Sequence, residues 1–439
     1  MKKGVAMNEN LGFAELEKID PQLSSLIGAE ERRQREKIIL IPSESLTPPA
    51  VREALGSVFT SVYAEGYPRS AMRMLPPELL ADLDYQLAEY RRYADWRFYK
   101  GTEFADLVES LAGRRAAECF ATADYPSDRI YANVQPLSGA AANLAVYEAF
   151  VEPGDTVMGM ALTEGGHLTH GSEFNITGKR YRIVSYSSDP KTGRLDYEKI
   201  KALAAAHRPK MIIAGFTSFP WQPDWEAFRE IADSVGAILF ADIAHTAGMV
   251  IAGAYPNPIG YADVVAFTTH KTLCGPRGAV ILSTDPKIAA RIDSAIFPGE
   301  QGGPHVNKFA AIAAALRIAQ TDEFKALQHR IVENAGYLAD ALQNEGLTLA
   351  YGGTNTHLLL VDLRIDPMEE LPHGAPRLPQ HLPRDLPPGE RAGEAGVFER
   401  LDRAQHRGDD PRQFPHLLFP HPPLRDPWGT EPDPVRVRR

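Results

Sequence analysis

A lysine that follows an apolar run is the residue in this sequence best placed to do covalent chemistry. Lys271 lies in FTTHKTLCGPRGAV, residues 267–280, between a strand-like run and a Gly-Pro-x-Gly turn. A lysine at that point reaches the mouth of an open α/β sheet, where such folds bind their ligands. Removed from water, its amine loses a proton more readily and can form a Schiff base with a carbonyl compound. Taken alone, the segment also fits a surface lysine beside a turn.

An aspartate closes a second apolar run, FADIAHTAG, residues 240–248. A carboxylate is costly in such a place unless it has a cationic or hydrogen-bonding partner. The protonated ring nitrogen of a ligand would be such a partner for Asp242, and His245 lies close enough along the chain to reach the same ligand. An N-cap aspartate next to a satisfied histidine is the structural alternative.

Two further segments offer groups for a phosphate and for a flat ring. Ser138 and Gly139 precede a run of small, helix-forming residues, and the N-terminus of a helix holds phosphate. His167 lies among glycines in EGGHLTHG, where its imidazole suits stacking on a ring, because no third ligand completes a zinc site. An amine, a carboxylate, a phosphate cradle and a stacking ring together predict a site for pyridoxal phosphate, which stabilises a carbanion at the α-carbon of an amino acid.

Alternating strand and helix patterns must position these groups. Short apolar runs at 211–216, 237–244, 263–269 and 278–284 predict buried strands, and EAFREIADSVG between the first two predicts an amphipathic helix. This alternation predicts a mostly parallel sheet with helices on both faces. The first forty residues and residues 305–345 have helical patterns, and HLLLVDL, residues 357–363, is predicted to be a strand.

Composition excludes several classes of protein. The 439 residues, with 44% hydrophobic residues, predict two or three globular domains. A net charge of −10 gives no global basic surface for nucleic acid, and GxGxxG and Walker motifs do not occur. Two cysteines favour a reducing compartment, so we expect a cytoplasmic protein. We expect neither a signal peptide nor a membrane span.

These segments resemble the serine hydroxymethyltransferase family of pyridoxal-phosphate enzymes. The resemblance runs over residues 16–364, with one interruption, through LIPSESLTPPAV, SVYAEGYP, NVQPLSG, GGHLTHG, ADIAHTAG, TTHKTLCGPRG, FPGEQGGP and GGTNTHLLLVDLR. It implies the fold-type I α/β architecture, similar to aspartate aminotransferase, with a large cofactor-binding domain and a small C-terminal α/β domain.

The resemblance also implies roles for individual residues. Lys271 would link covalently to the cofactor, Glu65 would transfer a proton near the folate, and Tyr63 would act across a dimer interface. His245 and Tyr99 complete the implied catalytic group. The residues implied to bind the cofactor are Ser138, Gly139, His167, Thr217, Asp242, His245, His270, Lys271, Arg277, Gly302 and Gly303, with the two neighbouring glycines reaching the phosphate of the adjacent subunit. Those implied to bind substrate are Ser43, Glu65, Gly166 and Leu168.

The reaction that the resemblance implies is the reversible conversion of serine and tetrahydrofolate to glycine and methylenetetrahydrofolate. The implied partners are these small molecules and a second copy of the chain, as a homodimer or a dimer of dimers. Three alternatives remain open on the same scaffold: a folate-independent aldolase for 3-hydroxy amino acids, an α-methylserine hydroxymethyltransferase, and a cofactor-binding homologue with impaired catalysis.

The predicted domains are an N-terminal helical arm (1–40), a large cofactor-binding domain (41–304), the start of a small domain (305–364) and a divergent tail (365–439). The large domain carries an insert, 69–96, whose leucines predict one amphipathic helix. The tail contains 15 of the 35 prolines and no Lys, Asn or Tyr, which predicts either disorder or a shifted reading frame. It lacks the family's SGxRxGT motif, whose arginine holds the substrate carboxylate, so we expect weakened binding of amino acids.

Overall fold

One sheet of seven strands organises the computed structural model, which describes residues 14–73, 75–93 and 96–363. The strands are β1 (Tyr131–Asn133), β2 (Thr156–Met160), β3 (Arg182–Tyr186), β4 (Met211–Gly215), β5 (Ile238–Asp242), β6 (Val264–Thr268) and β7 (Ala279–Ser283), in the spatial order β1-β7-β6-β5-β4-β2-β3. Strand β7 pairs antiparallel with β1 and β6, and the other neighbours are parallel. The predicted α/β architecture with a mostly parallel sheet is confirmed.

The central strands form where the sequence has uninterrupted apolar runs. Every residue of β4, β6 and β7 is buried, as expected when helices cover both faces of a sheet. In the register, Gly215 of β4 lies opposite Asp242 of β5, which in turn lies opposite Ala266 of β6. The end of β5 is therefore flanked by residues with little or no side chain, which leaves room beside the carboxylate of Asp242.

The α-helices of the described residues pack around this sheet or extend from it. They are α1 (Ala14–Ile19), α2 (Pro21–Glu36), α3 (Pro49–Leu55), α4 (Ser70–Arg73), α5 (Pro77–Ala81), α6 (Leu83–Tyr93), α7 (Glu103–Phe120), α8 (Gly139–Phe150), α9 (Ile176–Arg180), α10 (Tyr197–His207), α11 (Trp225–Val235), α12 (Ala247–Ile251), α13 (Pro286–Ser294), α14 (Val306–Ala319) and α15 (Asp322–Asn344). None of these helices combines the length and apolar character that crossing a membrane requires.

Local signals explain why the helices begin and end where they do. The predicted helix between β4 and β5 is α11, and the side chain of Asp224 caps it by accepting a hydrogen bond from the amide of Ala227. It ends at Gly236, whose φ of 68° lies in the left-handed region that favours glycine. The predicted long helices after residue 305 are α14 and α15, and Thr321 caps the second of them.

Two predictions about secondary structure were wrong. HLLLVDL makes only an isolated antiparallel bridge, between Val361 and Leu349, because a strand needs a neighbour of matching length and the described chain offers only this short one. The insert forms the short helices α4 and α5 and the longer α6 rather than one helix, with a break at Asp82 between α5 and α6. Asp82 leaves the helical region and its side chain accepts from the amide of Tyr85, so it caps the second helix.

The insert packs against α7. Arg69 forms an ion pair with Glu89 at 3.2 Å, and the guanidinium of Arg114 on α7 donates to the carbonyl of Leu75. The hydroxyl of Tyr90 accepts from the amide of Gly101, just before α7 begins. The predicted divergent tail, 365–439, lies outside the described residues.

The contact of α12 with the loop after Lys271 predicts a large effect of a small substitution. In Gly248→Ala the new methyl group would overlap the carbonyl oxygen of Thr272, so we expect a loss of about 1–3 kcal/mol in the free energy of unfolding. Gly336→Ala in α15 is the matched control, since no atom lies within 4 Å of its added methyl group, and it should gain about 0.5–1 kcal/mol. Urea denaturation measures both, and equal stabilities of the two variants would refute this packing.

Candidate active site

The loops after the parallel strands meet at one edge of the sheet and line a cavity there. We call it the central cavity. It receives side chains from the loops that follow β2, β4 and β6, from the end of β5 and from the first turns of α8. The lining residues are Gly139, Asn143, His167, His170, Phe216, Thr217, Asp242, Ala244, Thr268 and Lys271. The fold therefore brings together the lysine, the aspartate, the histidine predicted to stack and the helix N-terminus that the sequence singled out.

Asp242 is a buried carboxylate held by two side chains and one amide. Its Oδ2 accepts from Nδ2 of Asn143 at 2.8 Å and lies 2.9 Å from Nε2 of His170, while Oδ1 accepts from the amide of Ala244 at 3.1 Å. Burial alone would raise the pKa of Asp242, but the hydrogen bonds from His170 and Asn143 hold that pKa below its usual range. The group is therefore ionised at neutral pH, deep in the fold.

The tautomer of His170 follows from its second contact. Its Nδ1 accepts a hydrogen bond from the backbone amide of His167 at 3.1 Å, so the ring proton sits on Nε2, facing Asp242. Neither His170 nor Asn143 was among the residues that the sequence singled out. The only signals were His170 three residues after His167, and Asn143 one turn after Gly139 on the same face of α8.

Lys271 is nine-tenths buried and also lines the central cavity. Burial lowers the pKa of its amine, an effect that Asp242 opposes and Arg277 reinforces. Among the described residues its amine has no hydrogen-bond partner, whereas most buried polar groups have one. Such an amine is deprotonated more easily than a surface lysine and is free to react with a ligand.

His245 is buried in the loop after β5, next to His357. Its Nδ1 lies 3.4 Å from Nε2 of His357, and its own Nε2 has no partner in the described structure. Burial lowers the pKa of both imidazoles, that of His357 to about 4, so both rings are neutral at pH 7. These rings line a second cavity, which shares Phe216 and Asp242 with the central one.

The N-terminus of α8 forms the predicted cradle. The side chain of Ser138 caps the helix by accepting from the amide of Ala141 at 3.3 Å. A Cβ at Gly139 would lie 2.7 Å from Cγ2 of Thr268, so only glycine leaves the backbone open to a ligand at this point. The amides of the first helical turn point outward, as an anion site requires.

His167 and Thr217 lie on neighbouring loops that are tied together. The amide of Thr217 donates to the carbonyl of Gly165 at 2.7 Å, and Nδ1 of His167 is 2.7 Å from the hydroxyl of Thr169. Burial lowers the pKa of His167 to about 4, so its imidazole is neutral at pH 7. A neutral flat ring suits stacking on a ligand.

The predicted substrate residues of this loop differ in their exposure. Gly166 is buried, and a Cβ there would overlap the carbonyl oxygen of Met160, so the glycine is required by packing. Leu168 is 47% exposed and begins a short turn of 3-10 helix. Neither residue lines the central cavity.

His270 and Arg277 contact each other on the lysine loop. A guanidinium nitrogen of Arg277 lies 3.2 Å from Nε2 of His270. Burial, followed by the charge of Arg277, lowers the pKa of His270 to about 4, so the neutral ring accepts the hydrogen bond. Near the same loop, a hydrogen bond from Ser45 partly offsets the burial that raises the pKa of Cys274. The predicted Ser43 lies two residues before Ser45 in the sequence, so the segment that contains both serines lies next to the lysine loop.

The remaining predicted residues form a separate group, which we call the rim cluster. The hydroxyl of Tyr63 donates to Glu65 at 3.1 Å, and its ring packs edge to face on Tyr99 with centroids 5.2 Å apart. Gly302 and Gly303 lie against Glu65 and Tyr63, respectively. Tyr63 and Tyr99 are 58% and 47% exposed, and none of the five lines the central cavity of its own chain.

The central cavity fits pyridoxal phosphate by three observations. The partnerless amine of Lys271 fits a group that binds through a carbonyl carbon, and the ionised Asp242 fits a protonated ring nitrogen. The open backbone at Gly139, at a helix N-terminus, fits a phosphate. Within the described ranges, no group of three or more His, Cys, Asp or Glu side chains could hold a metal ion.

Comparison with known proteins agrees with this geometry. A family model described as serine hydroxymethyltransferase matches residues 16–73 and 83–370, which is most of the chain. The chain belongs to the serine hydroxymethyltransferase family. It is 47% identical over 345 residues to a serine hydroxymethyltransferase of Marinobacter nauticus, covering 78% of this chain and 75% of that one. It is 49% identical over 345 residues to a serine hydroxymethyltransferase of Deinococcus deserti, covering 79% and 77%.

Family membership confirms the resemblance and the fold that it implied. The sheet with flanking helices is that of a fold-type I enzyme. The two matched segments are separated by residues 74–82, which fall inside the predicted insert 69–96. The insert boundaries, the domain boundaries and the roles of single residues stay predictions.

Proposed function

We propose that this chain binds pyridoxal 5'-phosphate in the central cavity and catalyses the reversible conversion of serine and tetrahydrofolate to glycine and methylenetetrahydrofolate. Members of the serine hydroxymethyltransferase family generally depend on this cofactor. The observation that carries the proposal is that Lys271 and Asp242 line one cavity, so that an amine of lowered pKa and a carboxylate kept ionised face the same space.

The residues of the central cavity would hold the cofactor at its two ends and over its face. Asp242 would keep a proton on the ring nitrogen, with Asn143 and His170 fixing the carboxylate. The hydroxyl of Ser138 and the backbone at Gly139 would hold the phosphate, and His167 would stack on the ring. When bound, the cofactor draws electrons from the α-carbon of an attached amino acid.

Lys271 would supply the amine that holds the cofactor and gives way to the substrate. Its burial favours the unprotonated form, which is the reactive one. The Nε2 of His245 has no hydrogen-bond partner among the described residues. It would form a hydrogen bond with the nearest substituent on the cofactor ring. Thr217, His270 and Arg277 would stabilise the loops at the same edge of the central cavity.

We further propose that the rim cluster serves the central cavity of a second copy in a homodimer or a dimer of dimers. The family is generally homo-oligomeric. Tyr63 and Glu65 are exposed or partly exposed and hydrogen-bonded to each other, so they are available to a partner subunit. Glu65 would move a proton near the folate, and Ser43 would contact the substrate carboxylate.

An assay of serine consumption with and without tetrahydrofolate tests the proposed reaction. We expect glycine to form in proportion to the tetrahydrofolate consumed, with a high KM for serine because the chain has no SGxRxGT motif. Cleavage of a 3-hydroxy amino acid at the same rate without folate would show an aldolase instead. A protein that binds the cofactor and converts neither substrate would contradict the proposed activity.

A further inference from the structure

A lysine that no part of the proposed reaction uses lies buried beneath the cradle. Lys308 is in the first turn of α14 and is only 3% exposed. Its Nζ donates to the carbonyl oxygen of Gln135 and to that of Pro136, both at 2.8 Å. These carbonyls immediately precede Leu137 and Ser138, so the ammonium holds the chain that leads into the N-terminus of α8.

The stem of Lys308 also fills the space beside the lysine loop. A Cβ at Gly278 would lie 2.8 Å from Cδ of Lys308, so the side chain packs directly on the turn that follows Lys271. The amide of Ala279 donates to the carbonyl of Pro136, the same oxygen that Lys308 binds. One side chain therefore joins the segment before the cradle to the segment after the reactive lysine.

A buried charge network continues from this lysine to the rim cluster. The side chain of Gln135 donates to Glu109 at 2.9 Å and to the carbonyl of Gly66 at 2.9 Å.

Arg97 extends this network. Its guanidinium binds Glu109 at 2.6 Å and also binds Asp106. It donates to the carbonyls of Ala64 and Gly66, the two residues on either side of Glu65. The network therefore joins two basic side chains, Lys308 and Arg97, to two acidic ones, Glu109 and Asp106.

Burying the ammonium group of Lys308 at this position costs free energy of folding. Its ammonium is desolvated, and burial lowers its pKa to about 7 against the opposing pull of Glu109. It also lies in the first turn of a helix, where the helix dipole disfavours a cation. An apolar side chain of the same length would avoid both costs, so the retention of a lysine points to the two carbonyls that it holds.

We propose that Lys308 is a positioning residue, which fixes the cradle at Ser138 and Gly139 relative to the lysine loop so that a phosphate and the amine of Lys271 engage one ligand together. This inference rests on the proposed function, because it takes pyridoxal 5'-phosphate as that ligand. Lys308 acts through the backbone of residues 135–138 and through Gly278, and it touches neither ligand nor reacting atoms.

The test compares pyridoxal 5'-phosphate with pyridoxal, which has the same ring and aldehyde but no phosphate. In Lys308→Met we expect the dissociation constant of pyridoxal 5'-phosphate to rise at least about tenfold, because the loss of a charged hydrogen-bond donor frees the cradle. That of pyridoxal should change less than threefold. In the cofactor-free protein, hydrogen exchange at the amides of residues 139–142 should become faster. Lys287→Met, an exposed lysine, is the matched control and should change none of these quantities.

Several outcomes would overturn the inference. An equal loss of affinity for both compounds would show that Lys308 merely supports the fold, and unchanged affinity for pyridoxal 5'-phosphate would show that the cradle does not need it. If Lys308→Met fails to fold, Gly278→Ala reaches the same side chain from the loop and should show the same selective loss. A wild-type protein that binds neither compound would contradict the proposed function itself. If the wild type binds pyridoxal 5'-phosphate and Lys308→Met binds it equally well, only the role of Lys308 is refuted.

Discussion

Lys271→Ala is expected to lower kcat for the conversion of serine to glycine by at least about 10³-fold, with the fold unchanged. Lys271 is the one lysine in the lining of the central cavity, its amine is without a partner among the described residues, and its pKa is lowered by burial. Removal of a desolvated amine removes a burial cost, so the free energy of unfolding should stay equal or rise. Steady-state kinetics and urea denaturation measure the two effects.

The control for this prediction is Lys287→Ala, since that lysine is exposed on α13, away from the lining of the cavity. It should retain full activity. If Lys271→Ala kept more than a tenth of the wild-type kcat, the amine would not be the group that engages the ligand, and the proposed assignment would fail.

Asp242→Asn carries the second large expected effect, a loss of about 10²-fold or more in kcat. Asparagine keeps the shape of the side chain but removes the negative charge that would keep a proton on a ligand's ring nitrogen. It also removes the group that raises the pKa of Lys271, so the pKa of that amine should fall further. The pH profile of kcat and the absorbance of bound cofactor report these two changes.

Asp263→Asn provides a matched control at the opposite end of the sheet. Asp263 precedes β6 and binds Arg229 at 2.9 Å and the amide of Leu239 at 2.7 Å, so its loss should lower stability and leave kcat unchanged. Equal losses of kcat in the two variants would mean that Asp242 acts only through the fold. Full activity in Asp242→Asn would exclude it as the partner of a ring nitrogen.

The sequence predicted the location of the central cavity because the rule that places it is local. Lys271 follows an apolar run and Asp242 closes one, and the carboxyl ends of parallel strands share one edge of a sheet. Apolar runs are visible in the sequence itself, so strands β4 to β7 and the helix α11 between β4 and β5 were predicted directly.

Long-range contacts explain what the sequence could not show. Asn143 and His170 touch Asp242 from 99 and 72 residues away, and Lys308 reaches Gln135 across 173 residues. Nothing in the spacing of these residues marks such a contact. HLLLVDL has the composition of a strand, yet whether it becomes one depends on a neighbour with which it can pair.

The insert shows the same limit at short range. Its leucines fit a single amphipathic helix, but the side chain of Asp82 competes for the amide of Tyr85 and separates α5 from α6. The helix pattern therefore predicted the type of structure, while one polar side chain decided its boundaries.

The most direct test of the central claim is to identify the lysine that carries the cofactor. The purified protein is loaded with pyridoxal 5'-phosphate, reduced with sodium borohydride, digested and mapped by mass spectrometry. The account predicts one modified peptide, with the added mass on Lys271. Modification spread over exposed lysines such as Lys287 and Lys199, with Lys271 unmodified, would contradict it.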